Sequence, residues 1–168
     1  APIINHRSDD FRTLYKSIIE KTQKLFQTES DVVLLSCSGT GAVESSVVNL
    51  IKKGDKVVIP VNGEFSTRLA DLIDSWGGQS IRIESQFGEN PPYEKFEQVF
   101  DEHKDIKALY AVYNETSTGT TIRYMDKLGD LCTKQGCFFI ADSVSILGGD
   151  DLPTDKWNID ICITASQK

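Results

Sequence analysis

A chain of 168 residues can bury one ordinary core, and 39% apolar with 26% charged residues describes a folded rather than a disordered chain. The net charge of −7, with no basic stripe to offset it, argues against a nucleic-acid partner. No apolar run approaches the roughly 18 residues a membrane helix needs and no signal peptide opens the chain, so the expectation is a cytoplasmic protein without a membrane partner.

Phe11, Leu14, Tyr15, Ile18, Ile19 and Phe26 recur at helical spacing, which predicts an amphipathic helix after Ser8, with Ser8 as its cap. The apolar run from Asp31 to Ser36 predicts a short buried strand. Gly41 to Ile51 reads as helix, ended by Gly54-Asp55, and Lys56 to Pro60 as strand. Glu64 to Trp76 is the next helix, stopped by Gly77-Gly78, followed by a strand from Ser80 to Glu84 and a loop from Gly88 to Pro92. Tyr93 to Glu102 is helix, Lys107 to Tyr113 strand and Tyr124 to Gln135 helix. Cys137 to Asp142 and Ile159 to Thr164 are the last strands. Alternation of helices with Val/Ile/Leu-rich strands predicts an α/β fold, a mostly parallel sheet with helices on both faces.

In open sheets of this kind ligands bind at the carboxyl ends of the strands, where the polar clusters of this sequence fall. Ser36 to Gly41 follows the first predicted strand and Asn62-Gly-Glu-Phe65 the second. Asn114 to Gly119, Asp142 to Ser145 and Ala165 to Lys168 follow later ones. Ser38-Gly39-Thr40-Gly41 enters a helix N-terminus, where small residues admit an anion and the dipole favours it; a simple helix cap explains the same residues. It lacks the lysine of a nucleotide P-loop. Asp142 ends the apolar run Phe138-Phe-Ile-Ala141, where a carboxylate needs a partner such as a protonated ring nitrogen, or caps the following turn. Lys168 ends an apolar segment, where a lowered amine pKa would suit a Schiff base; a solvated surface lysine is the plainer reading. Phe65 could stack on a planar ring or belong to a core, and Thr116, Ser117 and Thr118 could donate to a ligand or shape a turn. Cys37, Cys132, Cys137 and Cys162 form no CxxC pair, and only His6 and His103 could join them, so reduced thiols are expected rather than zinc.

Taken in order, His6 to Phe11, Ser38 to Glu44, Asn62 to Phe65 with Arg68, Glu115 to Gly119, Asp142 to Gly149 and Ser166-Gln-Lys168 resemble the class V aminotransferases, fold-type I pyridoxal-phosphate enzymes of the alanine–glyoxylate and serine–pyruvate group. The resemblance spans essentially the whole chain. It implies pyridoxal 5′-phosphate as cofactor, with its phosphate held by Gly39 and Thr40, joined by Ser38 and Gln167. Phe65 and Val144 would pack on opposite faces of the ring, Thr116 or Ser117 would meet the ring oxygen, Asp142 would pair with the ring nitrogen, and Lys168 would form the Schiff base. A homodimer acting on a small amino acid (alanine or serine) and a 2-oxo acid (glyoxylate or pyruvate) is implied as well. Such enzymes run to about twice this length, so residues 1–168 are expected to be the incomplete large domain, without the small domain and its substrate-binding arginine. A lyase or cysteine desulfurase on the same scaffold would carry histidines where Gln167 and Phe65 stand, and a non-catalytic structural homologue would need neither Asp142 nor Lys168.

Overall fold

The computed structural model describes residues 3–167; residues 1, 2 and 168 lie outside the described residues, and the expectation for Lys168 with them. Helix α1 (Asp9–Phe26) starts where the Ser8 hydroxyl accepts from the Phe11 N–H at 3.2 Å, with Asp9 and Asp10 in the positive first turn. It stops at Gln27, whose left-handed backbone (φ 52) ends the helix. Of its apolar stripe only Phe26 is buried, while Leu14, Tyr15 and Ile18 remain exposed. The strand expected at 31–36 is absent: this stretch has irregular backbone, and Val33, Leu34 and Leu35 are exposed. A strand exists only where a neighbour completes its hydrogen bonds, and no described strand pairs with this segment.

The remaining elements follow in alternation: α2 (Gly39–Leu50), β1 (Lys56–Val61), α3 (Glu64–Ser75), β2 (Gln79–Glu84), α4 (Tyr93–Glu102) and β3 (Ile106–Val112). A small hairpin, β4 (Asn114–Glu115) with β5 (Thr120–Thr121), comes next, then α5 (Met125–Gln135), β6 (Phe138–Asp142) and β7 (Ile161–Ile163). Five strands form one sheet in the order β2-β1-β3-β6-β7, with every pairing parallel. The hairpin was not anticipated, because two-residue strands are too short to show alternation.

The two-residue period of the strands sorts the core into two layers. Val57, Ile59, Tyr110 and Ile140 pack with Val43 and Val47 of α2 and Leu69 and Ile73 of α3. Val58, Leu109, Phe139 and Ala141 pack with Phe96 and Phe100 of α4 and Leu128 and Leu131 of α5. Each fully buried Val, Leu, Ile or Phe among them contributes about 1.5–3 kcal/mol of transfer free energy, so both sheet faces are held by helices, as expected. Tyr110 carries a hydroxyl into the first layer, where it lies 3.2 Å from the Ser46 hydroxyl; burial pushes its phenol up to about 12. Among the described residues no helix is long and apolar enough to cross a membrane.

Helix α5 ends in a Schellman turn that feeds directly into β6. The Gly136 N–H donates to the Thr133 carbonyl at 3.3 Å and the Cys137 N–H to the Cys132 carbonyl at 3.1 Å, with Gly136 at φ 70. A Cβ at Gly136 would meet nothing within 4 Å, so backbone strain is the whole cost of adding one. Gly136→Ala is therefore expected to destabilise the full-length protein by about 1 kcal/mol, read from its denaturant midpoint at constant m-value.

Candidate active site

The chain runs from β1 outward to β2 and then returns to β3 on the other side of β1, so the strand order reverses between β1 and β3. Loops leaving the carboxyl ends of these strands diverge and open a crevice. A cavity of about 610 Å³ lies there, within the range of small-molecule sites. Gly39 and Thr40 reach it from the start of α2, Phe65 and Arg68 from α3, and Asn114 and Thr116 from the chain after β3. Asp142, Val144 and Ser145 come from the end of β6, and Gln167 from the chain after β7.

Seven residues singled out in the sequence thus share one cavity: Gly39, Thr40, Phe65, Thr116, Asp142, Val144 and Gln167. Ser38 is not among the lining residues; it is the N-cap of α2, and its hydroxyl accepts from the Gly41 N–H at 3.3 Å. Ser117 is not among them either, and its hydroxyl accepts from the Glu64 N–H at 3.0 Å. Lys168 follows Gln167 and lies outside the described residues.

The physical character of the cavity changes from end to end. The first turn of α2 carries no acidic side chain, so beyond the Ser38 hydroxyl on the Gly41 N–H no negative side chain of the helix itself offsets the partial positive charge of its N–H groups. Glycine at 39 lets that helix start lie close to its neighbours. A Cβ there would stand 3.2 Å from Val144 Cγ2 and 3.3 Å from the Ala165 Cβ. Asp142, half-buried, accepts from the Val144 N–H at 3.0 Å, which orients its carboxylate. Phe65 presents an exposed ring at the start of α3, with the Arg68 guanidinium 5.8 Å from its centroid.

Asn114 and Ser145 also line the cavity, although the sequence reading gave neither a role. The Asn114 amide donates to Ser145 Oγ at 2.9 Å, and that hydroxyl donates back to the Asn114 carbonyl at 2.9 Å. The Thr121 hydroxyl adds a bond to Asn114 Oδ1 at 2.9 Å. These bonds tie the chain after β3 to the loop that follows Asp142. Their position at strand carboxyl ends was the available signal; their mutual pairing was not visible.

The aminotransferase class-V family profile matches residues 3–168. This chain belongs to the class V aminotransferases. It is 40% identical over 167 residues to an uncharacterized aminotransferase of Methanocaldococcus jannaschii, covering 99% of this chain and 43% of that protein. A serine–glyoxylate aminotransferase of Methylorubrum extorquens is 36% identical over 169 residues, with 98% of this chain and 42% of that protein covered. The crystal structure of an alanine–glyoxylate aminotransferase from Nostoc sp. superposes with a TM-score of 0.94 at 30% identity, covering 100% of this chain and 44% of that one. The chain spans less than half the length of these relatives. As a class V aminotransferase it carries the family's fold, and the crevice at its strand reversal is lined by Gly39, Thr40, Phe65, Thr116, Asp142, Val144 and Gln167.

Proposed function

We propose that residues 1–168 are the cofactor-carrying part of a pyridoxal-phosphate-dependent enzyme that moves an amino group from alanine or serine to glyoxylate or pyruvate. The observation that carries this reading is the single cavity joining a helix N-terminus free of acidic side chains, an exposed aromatic ring and a strand-end carboxylate. An elongated, planar, phosphorylated pyridine fits that sequence of groups. Gly39 and Thr40 would hold the phosphate by backbone N–H and hydroxyl donation, with Gln167 beside them. Phe65 and Val144 would pack on the ring, and Thr116 would meet its oxygen.

When bound, the cofactor supplies an electron sink that makes the substrate α-proton removable. The Asp142 carboxylate would pair with the ring nitrogen and so would favour its protonated form. Lys168 would hold the cofactor covalently at rest and, once released, move the proton at the substrate α-carbon. The substrates are those of the serine–glyoxylate and alanine–glyoxylate relatives, carried here as a proposal.

A homodimer and a cytoplasmic location belong to the same proposal. The exposed Leu14, Tyr15 and Ile18 of α1 support a second copy as partner, and four free thiols suit a reducing compartment.

The test uses the full-length protein with added pyridoxal phosphate. A visible absorption band that shifts on adding L-alanine or L-serine is expected. Borohydride reduction should then leave the pyridoxyl group on the Lys168 peptide. No band, or a label on a different lysine, would overturn the proposal.

A further inference from the structure

We propose that Glu115 is a positioning residue: it clamps the start of α3 to the β4–β5 turn and so fixes Phe65 and Thr116 relative to one another at the cofactor site. The inference rests on the cofactor reading above and adds a residue to it.

The first N–H groups of any helix lack partners within the helix, and a side chain at the N-cap ordinarily accepts from them. In α3 the N-cap is Gly63, which has no side chain to offer. The partners come instead from the distant segment 115–117. The Glu64 N–H donates to Ser117 Oγ at 3.0 Å, the Phe65 N–H to Glu115 Oε1 at 3.3 Å and the Ser66 N–H to Glu115 Oε2 at 2.9 Å. The Ser66 hydroxyl adds a bond to Oε2 at 3.0 Å, and Ser117 donates its N–H and hydroxyl to Oε1 at 3.2 and 2.7 Å.

This carboxylate is fully buried, at 0% exposure, and a buried charge persists only where its oxygens are satisfied. Burial pushes its carboxyl up, but the bonds from Ser117 and Ser66 outweigh that and hold it below the ordinary value of 4.5, so it is ionised at neutral pH. Space for it is provided by the missing side chain of Gly63. A Cβ there would lie 2.4 Å from Glu115 Cγ and 2.6 Å from Ser117 Oγ. The Gly63 backbone, at φ 179, is extended and open to any residue, so room rather than conformation requires glycine.

The consequence for the site is geometric. Phe65 is held through its own N–H, while Thr116 sits between the two residues that build the clamp. Both line the cavity, so a shift of the carboxylate changes their spacing. A cap that served only helix stability would lower the melting point and leave both the ring of residue 65 and the cofactor affinity untouched.

The deciding experiment uses two readouts on the full-length protein. In a Phe65→Trp background, acrylamide quenching of residue 65 reports the helix start without cofactor, taken as the difference from the same protein with Phe65 intact, in which Trp76 and Trp157 are among the tryptophans that contribute. With Phe65 intact, a spectral titration gives the dissociation constant for pyridoxal phosphate. Glu115→Gln is expected to raise the quenching about twofold and weaken cofactor binding about tenfold, with helix content unchanged. Ser117→Ala removes one bond to Oε1 and the acceptor of the Glu64 N–H, and is expected to weaken binding about threefold. Should Glu115→Gln not fold, Ser117→Ala decides by the same two readouts. A lower melting point with both readouts at parental values would overturn the clamp. A parent that binds no pyridoxal phosphate would instead defeat the proposed function, and the quenching of residue 65 would still decide whether Glu115 orders the helix start.

Discussion

Asp142→Asn in the full-length protein is expected to lower the rate of amino transfer by about 10²–10³-fold, equivalent to two or three pKa units of ring-nitrogen stabilisation. Asparagine is the informative substitution because it retains an oxygen at nearly the same place. Asp142 Oδ1 accepts from the Val144 N–H at 3.0 Å, and an amide oxygen can accept that bond equally. The loop after β6 should therefore keep its shape, and the cavity its lining. What asparagine removes is the negative charge that the proposed function assigns to the ring nitrogen. Steady-state turnover with alanine or serine, alongside a titration confirming that the cofactor still binds, separates the two effects. A variant retaining more than about a tenth of parental turnover would mean that the Asp142 charge does not govern the ring nitrogen.

Gly129→Ala is expected to be the most damaging small substitution in the fold, costing about 3 kcal/mol or more. Alanine is a better helix former than glycine, so propensity alone predicts a gain of about 1 kcal/mol within α5. Sterics decide otherwise. A Cβ at Gly129 would stand 1.8 Å from the Trp157 carbonyl oxygen and 2.8 Å from its carbon, both backbone atoms that no rotamer change can move aside. Trp157 is itself pinned, with its ring edge-on to Tyr113 at 5.7 Å between centroids. Relief requires α5 to lift from the chain that leads into β7, and β7 leads to Gln167 and Lys168. A fall in melting temperature of about 6–12 °C should accompany the substitution. A melting point within about 2 °C of the parent would show that the α5 contact is not as close as the structure places it.

Helix α1 was legible because its signals are local. Ser8 sits next to the turn it caps, and the apolar residues repeat every three or four positions. The parallel sheet was legible because strands buried on both faces are nearly continuous in Val, Ile and Leu. The segment 31–36 carries the same composition, yet it forms no strand among the described residues, since pairing depends on a neighbour that composition does not name.

The site divides in the same way. Gly39, Thr40, Phe65, Thr116, Asp142, Val144 and Gln167 could be picked out because polar, small or aromatic residues stand at strand ends in a recognisable order, and all seven line one cavity. The support beneath them was invisible. In the sequence Glu115 is one carboxylate in a turn and Gly129 one weak spot in a helix. Folding sets the first on the N–H groups of a helix about fifty residues earlier and the second against the Trp157 carbonyl. Sequence alone determined the helices, the strand type, the family and the chemistry of the cavity residues, because these rest on propensity, period and motif order. Only the tertiary structure decided which segments pair, which helix end a buried carboxylate caps and where backbone approaches too closely for a methyl group, because those depend on distances between residues far apart in the chain.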